Sequence, residues 1–194
     1  MKTDFLRVAL VLVLAVAPTA AFAHVGVEPT NGFALGFMHP LGGVDHLLAM
    51  ALVGIFAYQL GGRALVMLPV AFLSLMVLGG LAGIAHIPLP FVEAGIGMSV
   101  VMLGLAVAFH LKLPTALAMA GVGVFALMHG HAHGTEMPMQ LSGAAYGAGF
   151  ILATTLVLAG GIGLSALIGR MDRSSSVYRV AGSVAAVVGV FLLV

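Results

Sequence analysis

The stretch GFMHPLGGVDHLLAM, residues 36–50, decides how the first part of the chain folds. Pro40 lacks a backbone donor and clashes with a continuing helix, and Gly42 and Gly43 add backbone freedom directly after it. This pattern predicts a short helix, a turn, and a second helix that begins near Asp45. The flanking residues are apolar, and a break in such surroundings is tolerated only where protein or a water-filled cavity lines it.

The composition indicates that lipid, rather than water, surrounds most of the chain. Of the 194 residues, 62% are hydrophobic and 7% are charged, and the mean hydropathy is +1.22, whereas soluble domains carry about 25% charged residues. A net charge of +1 and the absence of nucleic-acid-reading motifs give no reason to expect a nucleic acid partner. The absence of cysteine excludes disulfides, zinc–thiolate sites and thiol catalysis.

The N-terminal region has the organisation of a secretory signal peptide. Lys2 and Arg7 form a positive region, residues 8–16 form a short apolar region, and Ala-Phe-Ala at 21–23 is a cleavage signal. We therefore predict a signal peptide at 1–23 and a mature protein, residues 24–194, that begins at His24. The alternative is an uncleaved first helix, although the apolar run is short for a membrane span.

Six apolar segments follow, and several are long enough to cross a hydrocarbon core of about 30 Å as helix. They cover roughly 31–60, 63–85, 91–111, 114–133, 142–169 and 177–194. Glycine-rich runs such as GGLAG and GAAYGAG provide small-residue faces that let membrane helices approach closely. We predict an all-α integral membrane protein with a single domain. It is a compact bundle of about six transmembrane helices, and its first span is broken at the His-Pro-Gly-Gly segment.

The basic residues orient this predicted bundle. If the mature N-terminus lies outside, six crossings place every basic residue of the mature chain at a cytoplasmic loop, as the positive-inside rule requires. These residues are Arg63, Lys112, Arg170, Arg173 and Arg179. The opposite side collects histidine and glutamate. We predict a multi-pass protein of the bacterial inner membrane with its mature N-terminus on the periplasmic side.

Three ionisable residues, His39, Asp45 and His46, flank the predicted break. Burying such groups in a membrane is expensive, so they indicate a functional site, and discontinuous helices often build ion sites in transporters. The alternative is structural: Asp45 only caps the second helix, and the histidines hydrogen-bond backbone carbonyls.

A second group of ionisable residues lies in MHGHAHGTEMP, residues 128–138. If helix persists here, His129, His133 and Glu136 fall at i, i+4 and i+7 on one face, whereas His131 points elsewhere. Imidazole and carboxylate together suit nickel, cobalt, zinc, copper or iron, so all four residues are predicted metal ligands. The alternative is nonspecific metal scavenging by a histidine-rich loop.

Two further ligands are predicted outside these motifs. Glu93 lies near the start of the third apolar segment, where a carboxylate either stays at the interface or faces the bundle interior. After cleavage, His24 would carry a free amine beside its imidazole, and the two groups could chelate one metal ion.

These residues resemble the HupE/UreJ family over essentially the whole chain. The first motif matches the family signature H-P-x-x-G-x-D-H through His39, Pro40, Gly43, Asp45 and His46. The resemblance continues through VEAGIGMSV, with Glu93, and HGHAHGTEMP, with His133 and Glu136. It implies a nickel or cobalt permease that supplies hydrogenase, urease or cobalamin synthesis.

We therefore expect a secondary-type permease that carries Ni²⁺ or Co²⁺ through the lipid bilayer. It would hold no permanently bound cofactor, and it is compatible with a homo-oligomer. One alternative is a non-transporting metal-binding accessory or sensor protein for metalloenzyme maturation, and another is a metal-dependent intramembrane hydrolase. The sequence contains no zinc-peptidase, P-loop or nucleophile-elbow motif, so no enzymatic activity is expected.

Overall fold

The computed structural model describes residues 32–137, 142–171 and 176–193, and the regular structure within these ranges is entirely helical. The helices are α1 (Gly32–Gly42), α2 (Val44–Leu60), α3 (Ala64–Ile84), α4 (Val92–Ala108), α5 (Thr115–Thr135), α6 (Gly143–Met171) and α7 (Ser176–Phe191). Each of the later five apolar segments corresponds to one helix, and the first corresponds to α1 and α2 together. The all-helical prediction is confirmed.

The predicted break in the first segment is present. Helix α1 ends at Gly42 and α2 begins at Val44, and their axes are bent by 82°. Gly43 lies between them in an extended conformation, with φ −99° and ψ 124°. Pro40 lies inside α1, so the helix continues for two residues past the proline and breaks at the glycine.

Among the described residues, three helices are long and apolar enough to cross a membrane, namely α3, α5 and α6, and the bent pair α1–α2 makes up to four. Helices α4 and α7 are apolar but shorter, with 17 and 16 residues. Six crossings therefore stay a prediction, as does the orientation. The predicted signal peptide and His24 lie outside the described residues.

Helix α2 is at the centre of the bundle, since it contacts each of the six other described helices. Its buried residues point to all sides of the helix rather than to one face; they are Ala49, Met50, Leu52, Val53, Gly54, Phe56 and Ala57. A helix that is apolar on every side is buried in protein or in a membrane. Because Asp45 and His46 lie in its first turn, the centre of the bundle also carries the first motif.

Helices α3 and α5 form the most extensive helix pair in the described residues. A Cβ atom on Gly130 would collide with the backbone of Met76, and one on Gly134 would collide with the backbone of Gly80. The glycines thus let the two backbones touch, as in small-residue packing of membrane helices. This contact turns the next face of α5, which carries His129 and His133, toward the interior, where both are buried.

Candidate metal-binding site

The two predicted motifs meet in space. The end of α1 carries His39, the first turn of α2 carries Asp45 and His46, and the end of α5 carries His129 and His133. The bend of 82° between α1 and α2 places His39 on one side of a corner and Asp45 and His46 on the other. Helix α5 packs beside that corner and brings His129 and His133 into contact with these residues.

Helix α5 persists through the glycines of the second motif. It runs without interruption to Thr135, and Glu136 is its C-cap residue. The predicted alignment of His129, His133 and Glu136 at i, i+4 and i+7 therefore exists in the structure. The helix does not fray at Gly130, because this glycine packs against the backbone of α3.

The exposed triad, so called because Glu136 opens it to the surface, consists of His39, His133 and Glu136; His39 is half-buried and His133 is buried. The Nε2–H of His39 donates to Oε2 of Glu136 at 3.2 Å, which joins the end of α1 to the end of α5. One ligand atom from each of the three residues lies within 4.8 Å of the other two. A metal ion needs its ligands at about 2.0–2.2 Å from a common centre, so small side-chain movements bring this triad around one ion.

The Asp45–His46 pair forms a second element of the site. Oδ1 of Asp45 accepts two hydrogen bonds from His46, one from the backbone N–H and one from Nδ1–H, both at 2.8 Å. Asp45 therefore orients the imidazole, and the N-cap of α2 is Gly43, not Asp45. With its proton on Nδ1, neutral His46 presents the Nε2 lone pair. Among the described residues this buried Nε2 atom has no hydrogen-bond partner.

Three imidazole rings form the buried imidazole group: His46, His129 and His133. The ring centroid of His46 is 4.6 Å from that of His129 and 4.1 Å from that of His133. His133 also lies 4.8 Å from the ring of His39, so it belongs to both the triad and this group. In the part of the chain that the structure describes, the Nδ1 atoms of His129 and His133 are buried without a hydrogen-bond partner. Buried polar atoms normally have partners, so these nitrogens are free to bind a ligand.

The exposure of these side chains decreases through the site. Glu136 is 62% exposed and His39 is 29% exposed. Asp45 and His46 are 25% and 14% exposed, and His129 is only 1% exposed. The cluster is therefore exposed at Glu136, and its ionisable side chains become more buried toward His129.

Several neighbours of these ionisable side chains are not evident from the sequence. Aromatic side chains line the site: the Phe150 ring is 4.5 Å from that of His133, the Tyr146 ring is 5.7 Å from that of His39, and the Phe72 ring is 6.3 Å from that of His129. Ser99 on α4 hydrogen-bonds His129. The local pattern of an apolar helix does not show which phenylalanine or serine faces a site.

Beside the site, α3, α5 and α6 border a half-open cavity of about 380 Å³ that is lined mostly by apolar side chains. His133 and Tyr146 contribute polar side chains to its wall. Such an apolar wall around ionisable groups limits the access of water and strengthens their electrostatic interactions.

Two of the other predicted ligands, His131 and Glu93, take no part in the contacts that form this cluster. His131 is buried, but its Nε2–H donates to the backbone carbonyl of Ile87 at 2.8 Å, in the connection between α3 and α4. Glu93 is exposed in the first turn of α4, and none of the hydrogen bonds or ring contacts that join the described cluster includes it. Metal ligation by Glu93, His131 and His24 stays a prediction.

Comparisons with known proteins agree with the family resemblance. The family model described as HupE / UreJ protein matches residues 11–192. The chain is also similar to Protein HupE of Rhizobium leguminosarum bv. viciae, with 44% identity over 178 residues, which cover 91% of this chain and 92% of that protein. No solved structure matches the chain.

Proposed function

The chain belongs to the HupE/UreJ family, and from this premise we propose that it is a membrane permease for a divalent transition-metal ion, Ni²⁺ or Co²⁺. The observation that carries the proposal is the cluster at the broken span. There, His39, Asp45 and His46 meet the His133 and Glu136 side chains of α5. Ionisable groups at a helix break inside an apolar bundle are characteristic of ion pathways.

The ligand chemistry favours a borderline metal ion. Imidazole nitrogen suits nickel, cobalt, zinc and copper, and carboxylate oxygen is a harder ligand that binds them more weakly than thiolate does. Two carboxylates, those of Asp45 and Glu136, match the double positive charge of the ion. Nickel and cobalt are chosen among these metals because the family resemblance implies them.

The arrangement supports a stepwise route. The exposed triad would capture the ion, with Glu136 and His39 as the first ligands that it meets. His133 belongs to both groups, so the ion could exchange His39 for His46 while it remains bound to His133. Conduction requires sites that bind strongly enough to remove water but weakly enough to release the ion, and sequential exchange of one ligand at a time satisfies both conditions.

The proposed setting is the bacterial inner membrane, with the exposed triad on the periplasmic side. The positive-inside distribution of basic residues supports this orientation. The imported ion would serve metalloenzymes such as hydrogenase or urease, or cobalamin synthesis. Transport through the bilayer requires no resident cofactor and no catalytic step.

Uptake of ⁶³Ni²⁺ and ⁵⁷Co²⁺ by cells that express the protein tests the proposal. We would compare the wild type with Asp45→Asn and His133→Gln at equal membrane abundance. The matched control is His86→Asn, which removes an exposed histidine outside the cluster and suits its left-handed backbone, φ 55°. We expect uptake by the wild type and the control, and loss of uptake in both site variants.

Accumulation no higher than in cells without the protein would refute the permease, whereas equal uptake above that background by all four proteins would refute the cluster as its ion path. A purified protein that binds nickel but moves none into sealed proteoliposomes would instead support the accessory or sensor function. The proteoliposome assay separates these outcomes because it contains no other transporter.

A further inference from the structure

Helix α4 supplies a polar contact to the most buried histidine of the cluster. Ser99 is fully buried, and His129 is 1% exposed. Oγ of Ser99 lies 2.6 Å from the backbone carbonyl oxygen of Ile96 and 2.8 Å from Nε2 of His129. A serine hydroxyl has one hydrogen to donate and lone pairs to accept. The two contacts together determine where that hydrogen lies.

The hydrogen of Ser99 points to Ile96. Two oxygen atoms at 2.6 Å require a hydrogen between them, and the carbonyl of Ile96 has none to give. Ser99 therefore donates to Ile96 and faces His129 with a lone pair. The contact of 2.8 Å to Nε2 is then a hydrogen bond only if Nε2 carries the proton.

We infer that Ser99 holds His129 in the Nε2–H tautomer, so that its Nδ1 lone pair is the atom offered to the transported ion. The inference rests on the proposed function for the identity of the ligand, but the tautomer follows from the hydrogen bonds alone. Nδ1 of His129 is buried and has no hydrogen-bond partner among the described residues. Metal-binding histidines commonly donate their other N–H to an oxygen acceptor that fixes their tautomer and orientation.

Ser99 and Asp45 thus perform equivalent tasks at two adjacent rings. Asp45 binds Nδ1–H of His46 and leaves Nε2 free, whereas Ser99 binds Nε2–H of His129 and leaves Nδ1 free. The two acceptors differ in charge: the Asp45 carboxylate adds negative charge beside the ion, whereas the Ser99 hydroxyl adds none. Ser99 is a positioning residue, since it acts on the ion through His129.

The test reads the tautomer directly in metal-free protein. Full-length protein labelled with ¹⁵N-histidine, at mildly alkaline pH where imidazole is ordinarily neutral, gives separate nitrogen signals for the protonated and unprotonated ring positions. The signals that disappear in His129→Gln identify His129. We expect wild-type His129 to carry its proton on Nε2.

Three variants separate tautomer control from packing. Ser99→Ala removes the acceptor, so both tautomers of His129 should be populated and the affinity for Ni²⁺, measured by competition with a chromophoric chelator, should fall about tenfold. Ser99→Thr retains a hydroxyl and should restore the wild-type tautomer. Ser165→Ala deletes an equally buried hydroxyl on α6, about 28 Å along the helix from Tyr146, and should change neither property.

The inference is overturned if wild-type His129 carries its proton on Nδ1, or if Ser99→Ala retains the wild-type tautomer. It is also overturned if the tautomers mix without a loss of affinity, because Ser99 would then not act on the ion. If Ser99→Ala abolishes the Nε2–H tautomer but the wild-type protein binds neither Ni²⁺ nor Co²⁺, the control by Ser99 is confirmed and the proposed function is refuted instead.

Discussion

The imidazole rings of His46 and His133 lie with their centroids 4.1 Å apart, although 87 positions separate them in the chain. Each ring comes from a different motif, and each carries a buried nitrogen without a hydrogen-bond partner in the described residues. A buried nitrogen without a hydrogen-bond partner is unfavourable unless a cation or a water molecule binds it. The two motifs therefore meet at this pair of rings.

His133 should contribute to ion binding more than any other ligand, because it belongs to the exposed triad and to the buried imidazole group. We expect His133→Gln to weaken Ni²⁺ binding at least about tenfold, or about 1.4 kcal/mol, in equilibrium binding to purified protein. When His133→Gln is combined with His39→Gln or with His46→Gln, the losses of Ni²⁺-binding free energy should not be additive, since residues that share one partner are coupled. Strict additivity in both pairs would show that the two groups bind ions independently.

Gly43 should be required for the space around the Asp45–His46 pair. A Cβ atom at Gly43 would lie 2.7 Å from Oδ1 of Asp45 and 3.0 Å from Nδ1 of His46, closer than van der Waals contact. Gly43→Ala should push the carboxylate away from the ring and weaken Ni²⁺ binding by about tenfold. The backbone angles of Gly43 suit any residue, so the effect is steric.

The adjacent glycine is the matched control for this substitution. A Cβ atom at Gly42 would meet no atom within 4 Å among the described residues, and alanine is favoured over glycine in helices. Gly42→Ala should therefore bind Ni²⁺ as the wild type does. Similar losses in both variants would mean that any added side chain at the break disturbs the fold.

The sequence predicted those parts of the site that depend on local geometry. Helical periodicity placed His129 and His133 on one face, and the proline and glycines predicted the break beside Asp45. The sequence did not predict that Ser99 binds His129 or that Phe150 lies against His133, because these contacts depend on how α4 and α6 pack against α5. A lone serine or phenylalanine in an apolar helix has the same local pattern whether it faces lipid, another helix or an ion.

His131 should stabilise the fold rather than bind the ion. Its Nε2–H donates to the carbonyl of Ile87, so His131→Leu should lower the free energy of unfolding by about 1 kcal/mol. Ni²⁺ affinity should be unchanged, because its ring contacts no ring of the cluster in the described residues. Thermal unfolding and equilibrium Ni²⁺ binding measure the two properties. A loss of affinity with normal stability would establish His131 as a ligand.

The close contact of α3 and α5 should be needed to hold the site together. A Cβ atom at Gly134 would overlap the backbone of Gly80, so Gly134→Ala should force the helices apart and lower stability by about 1–3 kcal/mol. Gly121→Ala is the control on the same helix, since its Cβ would meet no described atom within 4 Å. That variant should be as stable as the wild type or slightly more stable. Equal thermal unfolding of the two variants would argue against the packing role.

Nickel should stabilise the folded protein, because its ligands come from α1, α2 and α5 and are assembled only in the native state. Binding at about 100 times the dissociation constant adds about 2.7 kcal/mol to the free energy of unfolding. We expect the melting temperature of the purified protein to rise with Ni²⁺ and to return to its original value with EDTA. The double variant His46→Gln/His133→Gln should lose this shift, whereas His86→Asn should keep it. A nickel-dependent shift that survives in the double variant would place the bound ion outside the cluster at the broken span.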